Sequence, residues 1–346
     1  MAAAIAHALD TGLDLWAPPG ELPARVRPAA TAQESTWLHT LMQQGGIAHL
    51  LRVRKAHAAL AAVRLLLALR RVYAHSQHDL YHINWLQCAL PLPANQKPAL
   101  ITVLGNDMKL LRLPLMRRML RRAMRGRAVA ICPNADWMVQ PLRDAFADIA
   151  QVTPVPFGID PRWYAIRRAP DARPQWIAVT RLTADKLGPL FEWSEPLFRN
   201  APRELHLFGP MQEKIAVPEW VQYHGAISPE QLAAHWFPRA QGLITLSRHA
   251  EGRPQVMLEA MAAGLPIVAS RMPAHADIVS EGVTGVLCAS AMEYARAVVT
   301  VEDAEANRRM GAAAREWISR ELGTWDDCAT RYVRIYRQLL GEREHG

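Results

Sequence analysis

The sequence predicts an α/β fold built as two parallel-sheet domains, and three observations carry that prediction. At 346 residues and roughly 150 residues per domain, the chain has room for two cores. From residue 79 onward, short β-rich runs alternate with segments of helical period, the pattern of parallel βαβ units. These runs fall into two series, separated by the stretch Asp160–Pro174, whose three prolines and four arginines compose it like a linker.

The first series of strand candidates is Asp79–Trp85, Ala99–Gly105, Ala128–Pro133 and Gln151–Phe157. The second is Gln175–Leu182, Glu204–Gly209, Val221–Gly225, Gly242–Ser247, Pro266–Ser270 and Val283–Ala289. Ahead of the first series the helical period runs over Ile47–Tyr73. A shorter helix, Leu115–Arg125, puts Leu115, Met116, Met119, Leu120, Ala123 and Met124 on one side and Arg117, Arg118, Arg121, Arg122 and Arg125 on the other. Two readings fit this basic amphipathic helix. Its apolar side packs on the sheet with the arginines solvated, or it contacts an anionic membrane surface. There is no internal repeat and no low-complexity segment.

Half the residues are hydrophobic and 21% are charged, which excludes a disordered or collagen-like chain. The 40 Lys+Arg against 32 Asp+Glu leave a net charge of +8, suited to a polyanion, an anionic membrane face or a phosphorylated substrate. No apolar run reaches the roughly 18 residues of a spanning helix, since Arg64 interrupts the most apolar stretch, Ala58–Leu69. The start, MAAAIAHALD, lacks a basic n-region and meets Asp10 early, so no signal peptide is expected and the cytoplasm is the expected compartment. Cys88, Cys132, Cys288 and Cys328 never form a CxxC or Cys/His ligand spacing and are expected to be reduced packing residues.

The most informative segment is Ser247–Ser270, SRHAEGRPQVMLEAMAAGLPIVAS, which reads strand, loop, helix, strand. Pro254 suits a first helical position, Gly264 a C-terminal cap and Pro266 a stop before the next strand. The helix N-terminus then presents the amides of Gly252, Arg253, Pro254 (which has none), Gln255 and Val256 at the positive end of its dipole, a setting for phosphate. Glu251 precedes the helix and Glu259 lies in its second turn. A carboxylate can accept from two neighbouring hydroxyls of a diol, so one acid suits a sugar and the other a ribose.

Taken together as EGxPxxxLEAMAxGxPxVAS, these residues resemble the donor-nucleotide site of GT4-type retaining glycosyltransferases (glycosyl transferases group 1), which have the GT-B fold of two Rossmann-like domains facing across a cleft. Other stretches agree in order. Arg181 and Lys186, in VTRLTADK, match the family's R-L-x-x-x-K element, which implies that both hold the donor diphosphate; as isolated charges they would read as a solvated helix start. YHGAISPEQL resembles the strand and loop beside the nucleobase, which implies main-chain contacts at Ala226 and Ile227; an ordinary strand-to-helix turn reads equally well. FGID at Phe157–Asp160 resembles the family's N-G-[IV]-D element at the end of the first domain, and TWDDCATRYVRIYRQLL resembles its closing helix. The implied domains are 1–160 on the acceptor side, 161–324 for the nucleotide sugar, and a helix in 325–346 returning to the first domain.

The resemblance also implies differences. Ala2–Leu9 matches the end of the family's first helix and Gly12–Ala17 its second strand, so the first strand and its Gly-rich loop are expected to be absent. In TVLGND, Leu104 stands where many relatives carry a His that touches the donor sugar. Asp107 matches an acidic residue just after it, and so joins Glu251 as a candidate catalytic residue; a helix N-cap is the other reading. His82 and Asn84 would face the same cleft, or be satisfied polar residues at a strand end. The chain has no D-x-D, Walker A, H-E-x-x-H or G-x-G-x-x-G element, and neither a metal nor a resident cofactor is expected. The expected function is transfer of a sugar from a UDP-, GDP- or ADP-sugar to a glycan or lipid-linked acceptor with retention of configuration, with no nucleic-acid partner and with peripheral contact to an anionic membrane. The rivals are a silent nucleotide-sugar or polyanion binder and a sugar-nucleotide epimerase of the same fold.

Overall fold

The computed structural model describes all residues except 11, 45, 48–49, 51–53 and 342–346. The chain divides into two compact units, Met1–Pro156 with Trp325–Gly346, and Phe157–Thr324.

In the first unit, β1 (Leu13–Leu15) and β2 (Val26–Pro28) form a separate parallel pair. β3 (Tyr81–Asn84), β4 (Ala99–Val103), β5 (Val129–Pro133) and β6 (Gln151–Val152) form a parallel sheet in that order. Every residue of β4 and β5 is buried, as parallel strands covered on both faces require. On one face Ile83, Ile101 and Ile131 pack with Leu69 and Tyr73 of the helix Lys55–His75, Leu120 and Met124 of the helix Pro114–Met124, and Phe146 of the helix Val139–Phe146. The part of the expected helix Ile47–Tyr73 at 48–49 and 51–53 lies outside the described residues.

The opposite face explains why the far end of the chain belongs to this unit. Helix Trp325–Leu340 packs along helix Ala2–Leu9 and against β5. It sends Tyr332 and Tyr336 to His82 and Thr102. Of the two readings of His82, the structure has the satisfied polar residue at a strand end: its ring nitrogens bond Tyr336 Oη at 2.5 Å and Thr102 Oγ1 at 2.8 Å. Burial pushes its pKa down to about 4 and keeps the ring neutral.

A second difference concerns helix Pro114–Met124. Met116, Leu120 and Met124, four apart, face the core, but Leu115 and Met119, expected on the same side, are exposed. They sit about 100° further round a helix of 3.6 residues per turn, outside the arc that the sheet covers.

The second unit is a single six-stranded parallel sheet in the order β12-β11-β10-β7-β8-β9, with β7 at Gln175–Val179, β8 at Glu204–Phe208, β9 at Val221–Tyr223, β10 at Gly242–Thr245, β11 at Ile267–Ser270 and β12 at Gly285–Cys288. The winding runs outward from β7 through β8 to β9, then returns to place β10 on the other side of β7. The strand order therefore reverses between β7 and β10, and the crevice at the carboxyl ends of those two strands is where ligands bind in open α/β sheets.

Asp160–Pro174 is not the exposed linker its composition predicts. Asp160 caps the short helix Pro161–Tyr164, its Oδ1 accepting from the Arg162 amide at 2.9 Å. Trp163 and Ile166 lie in the core of the second unit, and the Arg168 guanidinium donates to the carbonyls of Gly264 and Ala240. The prolines and arginines there start a helix and cap carbonyls. Trp163→Ala is accordingly expected to cost about 3–5 kcal/mol of stability in urea unfolding; a change below about 0.5 kcal/mol would show that the segment is a solvated linker after all.

Candidate functional site

The site grows from the carboxyl ends of β7 and β10. Beyond β7, Thr183 caps the turn Ala184–Leu187, its Oγ1 accepting from the Lys186 amide at 3.3 Å. Gly188 follows at φ +54°, and a Cβ on it would lie 2.1 Å from the Leu246 carbonyl oxygen. Only glycine lets this turn close on the end of β10. The Arg248 amide then donates to the Asp185 carbonyl at 2.8 Å. Clamped in this way, Lys186 Nζ reaches Glu251 Oε2 at 2.7 Å, with both side chains largely buried. The pair bridges the two loops at the reversal of strand order. Arg181 stands on the same β7 loop with its side chain exposed.

Helix Gln255–Ala262 begins at this point, with Pro254 as its N-cap and not its first residue. Among the described residues, the amides of Gly252, Gln255 and Val256 have no hydrogen-bond partner, so the helix opens with free donors beside the Lys186–Glu251 pair. Its dipole favours negative charge at that end.

The Arg253 side chain, in the middle of this loop, is directed elsewhere. Its Nε donates to Asp277 Oδ2 at 2.5 Å, both side chains being only 6% and 5% exposed, and its guanidinium lies 5.9 Å from the Trp317 ring. Its charge is therefore committed to holding the loop, and only its backbone remains for a ligand.

Glu259 projects from the second turn. Burial pushes its carboxyl up to about 7, with Asp160 adding to the rise and Arg162 opposing it. Arg162 is itself paired with Asp160 at 3.0 Å and with Glu230, so little of its charge serves Glu259. The result is a desolvated acid whose ionised form would be stabilised by hydroxyl donors. Asp160, read from the sequence as a boundary marker, thus belongs to the surroundings of Glu259.

The loop after β9 carries Ala226 and Ile227, whose main-chain groups make no backbone hydrogen bond among the described residues; Ser228 and Gln231 then form a capping box. Next to this loop His206, Phe208, His224 and Trp236 form an aromatic cluster, with the Phe208 and His224 rings stacked at 4.6 Å. Sequence reasoning missed this cluster, and it also missed His275. That side chain is fully buried, with Nδ1 donating to the Ser270 carbonyl at 2.9 Å, which leaves Nε2 as a lone-pair acceptor. Burial lowers its pKa, against the Ser270 hydrogen bond and the charge of Glu251, which raise it. No motif spacing marks His275 or Asp277; only the turn after β11 brings them in.

Asp107 lies in the first unit, buried, with its carboxylate accepting from the Leu86 amide at 3.2 Å. Burial pushes its pKa up to about 6, against backbone hydrogen bonds that pull it down. It braces the turn Leu86–Ala89 and caps no helix. Asn84 Oδ1 is buried and unpaired among the described residues. Among those residues no three His, Cys, Asp or Glu gather as a metal-ligand set, and the four cysteines are buried and not joined in disulfides.

Residues 173–303 match the glycosyl transferases group 1 family. A D-inositol 3-phosphate glycosyltransferase from Streptomyces griseus is 32% identical over 132 residues, 37% of this chain and 27% of that protein. The chain thus spans little more than a quarter of the length of the curated relatives it matches. Among solved structures, the sucrose-phosphate synthase of Thermosynechococcus elongatus superposes with a TM-score of 0.65 at 19% identity, over 82% of this chain and 79% of that one. Anabaena HepE in complex with UDP-glucose gives 0.62 at 14% identity, over 80% and 82%. These likenesses establish an α/β fold whose neighbours are GT-B glycosyltransferases.

The buried Arg253–Asp277 pair allows a direct check on the loop. Arg253→Ala strands the Asp277 charge and is expected to cost about 3–5 kcal/mol in urea unfolding. Arg253→Met with Asp277→Leu should recover most of that loss, and equal stability of the single variant and wild type would show the pair to be solvated.

Proposed function

We propose that the protein is a glycosyltransferase that moves a sugar from a nucleoside-diphosphate sugar to an acceptor, with retention of configuration and without a metal. The single observation that carries this reading is the Lys186–Glu251 pair beside the free amides of Gly252, Gln255 and Val256, at the reversal point of the second sheet. Each half of the pair complements one half of such a donor. The diphosphate draws the Lys186 ammonium, together with Arg181 and the helix amides, and these fixed positive groups neutralise the leaving-group charge. Glu251, released from Lys186, accepts from the hydroxyls of the donor sugar. Glu259 takes the ribose diol, and the main chain at Ala226 and Ile227 reads the edge of a uracil, guanine or adenine base. The family match over 173–303 and the UDP-glucose held by Anabaena HepE support a nucleotide-sugar donor. The acceptor is a glycan or a lipid-linked glycan.

Two outcomes test the assignment. Glu251→Gln should lower transfer from radiolabelled nucleotide sugar by about a hundredfold or more while leaving the protein folded; near-wild-type transfer would overturn the role given to Glu251. For Glu259 the sign follows from its raised pKa. A ribose diol bonded to the carboxylate favours the ionised form, so binding releases a proton held by the free protein below about pH 7. Nucleotide affinity should therefore tighten as pH rises toward 7 and level off above it. Glu259→Gln should bind more weakly and lose that slope, whereas a slope that persists in the variant would assign it to another group.

A further inference from the structure

We propose that the first unit docks on an anionic lipid bilayer through the outer side of the helical layer made by Lys55–His75 and Pro114–Met124. The proposal stands on this unit alone and holds whatever the donor site binds.

Both helices cover the same face of the four-stranded sheet, since Leu69, Tyr73, Leu120 and Met124 share one core with Ile83, Ile101 and Ile131. Both also keep large apolar side chains on the outside. On Lys55–His75, Leu60, Val63 and Leu67 follow one another at helical spacing and are 70%, 54% and 64% exposed. At the second helix Leu113, Leu115 and Met119 are 53%, 69% and 45% exposed. Isolated exposed leucines are ordinary, but two rows of them on one layer are not.

The charge carried by the two chain segments that bear these rows is of one sign. Residues 35–78 contain six Lys+Arg and residues 108–135 contain eight, fourteen of the chain's 40, and the two segments contain none of its 32 Asp+Glu. The remainder of the chain is net negative, so the net charge of +8 is concentrated here. Arg121 is held by Asp148 and the Ala145 carbonyl, and Arg71 by Glu34. Arg118, Arg122 and Arg125, by contrast, have no ion pair or side-chain hydrogen bond among the described residues. With Arg117 and Arg121 they line a cavity of about 630 Å³.

Apolar tips interleaved with cations suit an interface where acyl chains lie beneath phosphate headgroups: the leucines and methionine enter the first, and the guanidiniums meet the second. A second copy of the chain is a poor occupant, because a two-fold contact would set this cation-rich face against itself. Nucleic acid would leave the apolar rows exposed. No helix among the described residues is long and apolar enough to cross a membrane, so the contact would be peripheral.

The test is flotation of the full chain with vesicles of phosphatidylcholine alone and of phosphatidylcholine mixed with phosphatidylglycerol, at low and high salt. The protein should float with the anionic vesicles and much less with the neutral ones. Arg118→Glu with Arg122→Glu should weaken that partitioning by more than about tenfold, and Leu115→Asn with Met119→Asn by several-fold, at unchanged melting temperature. These side chains are exposed, so the variants should fold. Absence of binding to anionic vesicles would overturn the proposal, as would full binding by the charge-reversed variant. A dimer in light scattering that the same substitutions abolish, without vesicle binding, would assign the face to self-association instead.

Discussion

The second unit is organised around one ion pair, Lys186 with Glu251, placed where the strand order of its sheet reverses. Neither partner comes from a regular strand or a long helix, so the pair exists only because two loops are forced together. The close approach at Gly188 does part of this, as does the amide of Arg248 on the Asp185 carbonyl. The buried Arg253–Asp277 pair fixes the far side of the second loop. Because both charges are largely withdrawn from water, each gains from its partner, and a ligand carrying both anionic phosphates and donating hydroxyls can replace each partner with a like interaction.

The acids of this site are handled in two different ways. Glu251 is matched by a cation, whereas Glu259 is desolvated next to Asp160 while the nearby Arg162 is shared with Asp160 and Glu230. The first arrangement holds a charge ready; the second stores an unfavourable one that a diol would relieve. Beside them the open end of helix Gln255–Ala262 supplies donors at no cost in reorganisation. In the turn after β11, His275 is buried with Nδ1 donating to the Ser270 carbonyl, and burial lowers its pKa.

Much of this was legible in the sequence. All ten strand candidates from Asp79–Trp85 to Val283–Ala289 contain a strand, and the central ones, buried on both faces, are short, locally visible apolar runs. β2 was missed, since its VRP is three residues long with two of them exposed. The helix Ala32–Gln43 was also missed, although the capping box of Thr31 and Glu34 announces it. The residues of the proposed donor site stand out in the sequence because motif spacing carries them. What spacing cannot carry is pairing at long range: the partner of Arg253 lies 24 residues away, and that of His82 lies 254 residues away. The misreading of Asp160–Pro174 has the same origin. Proline and arginine look like solvent composition until Trp163 is seen in a core and Arg168 on buried carbonyls. Leu115 and Met119 were placed with the core side because a helical wheel shows which residues share an arc, but not how much of that arc a neighbouring sheet covers.

Charge is as unevenly distributed as chemistry. The cations that make the chain basic gather in two segments of the first unit, while Arg181 and Lys186, proposed above to hold a diphosphate, stand singly in the second. Net charge alone therefore says nothing about the donor site. The most direct test of the central claim is titration calorimetry of the wild-type protein, and of Arg181→Ala with Lys186→Ala, against UDP, GDP and ADP. Binding of one of the three to the wild type, lost in the double variant, is what this architecture predicts. Binding of none, or equal binding by both proteins, would contradict it.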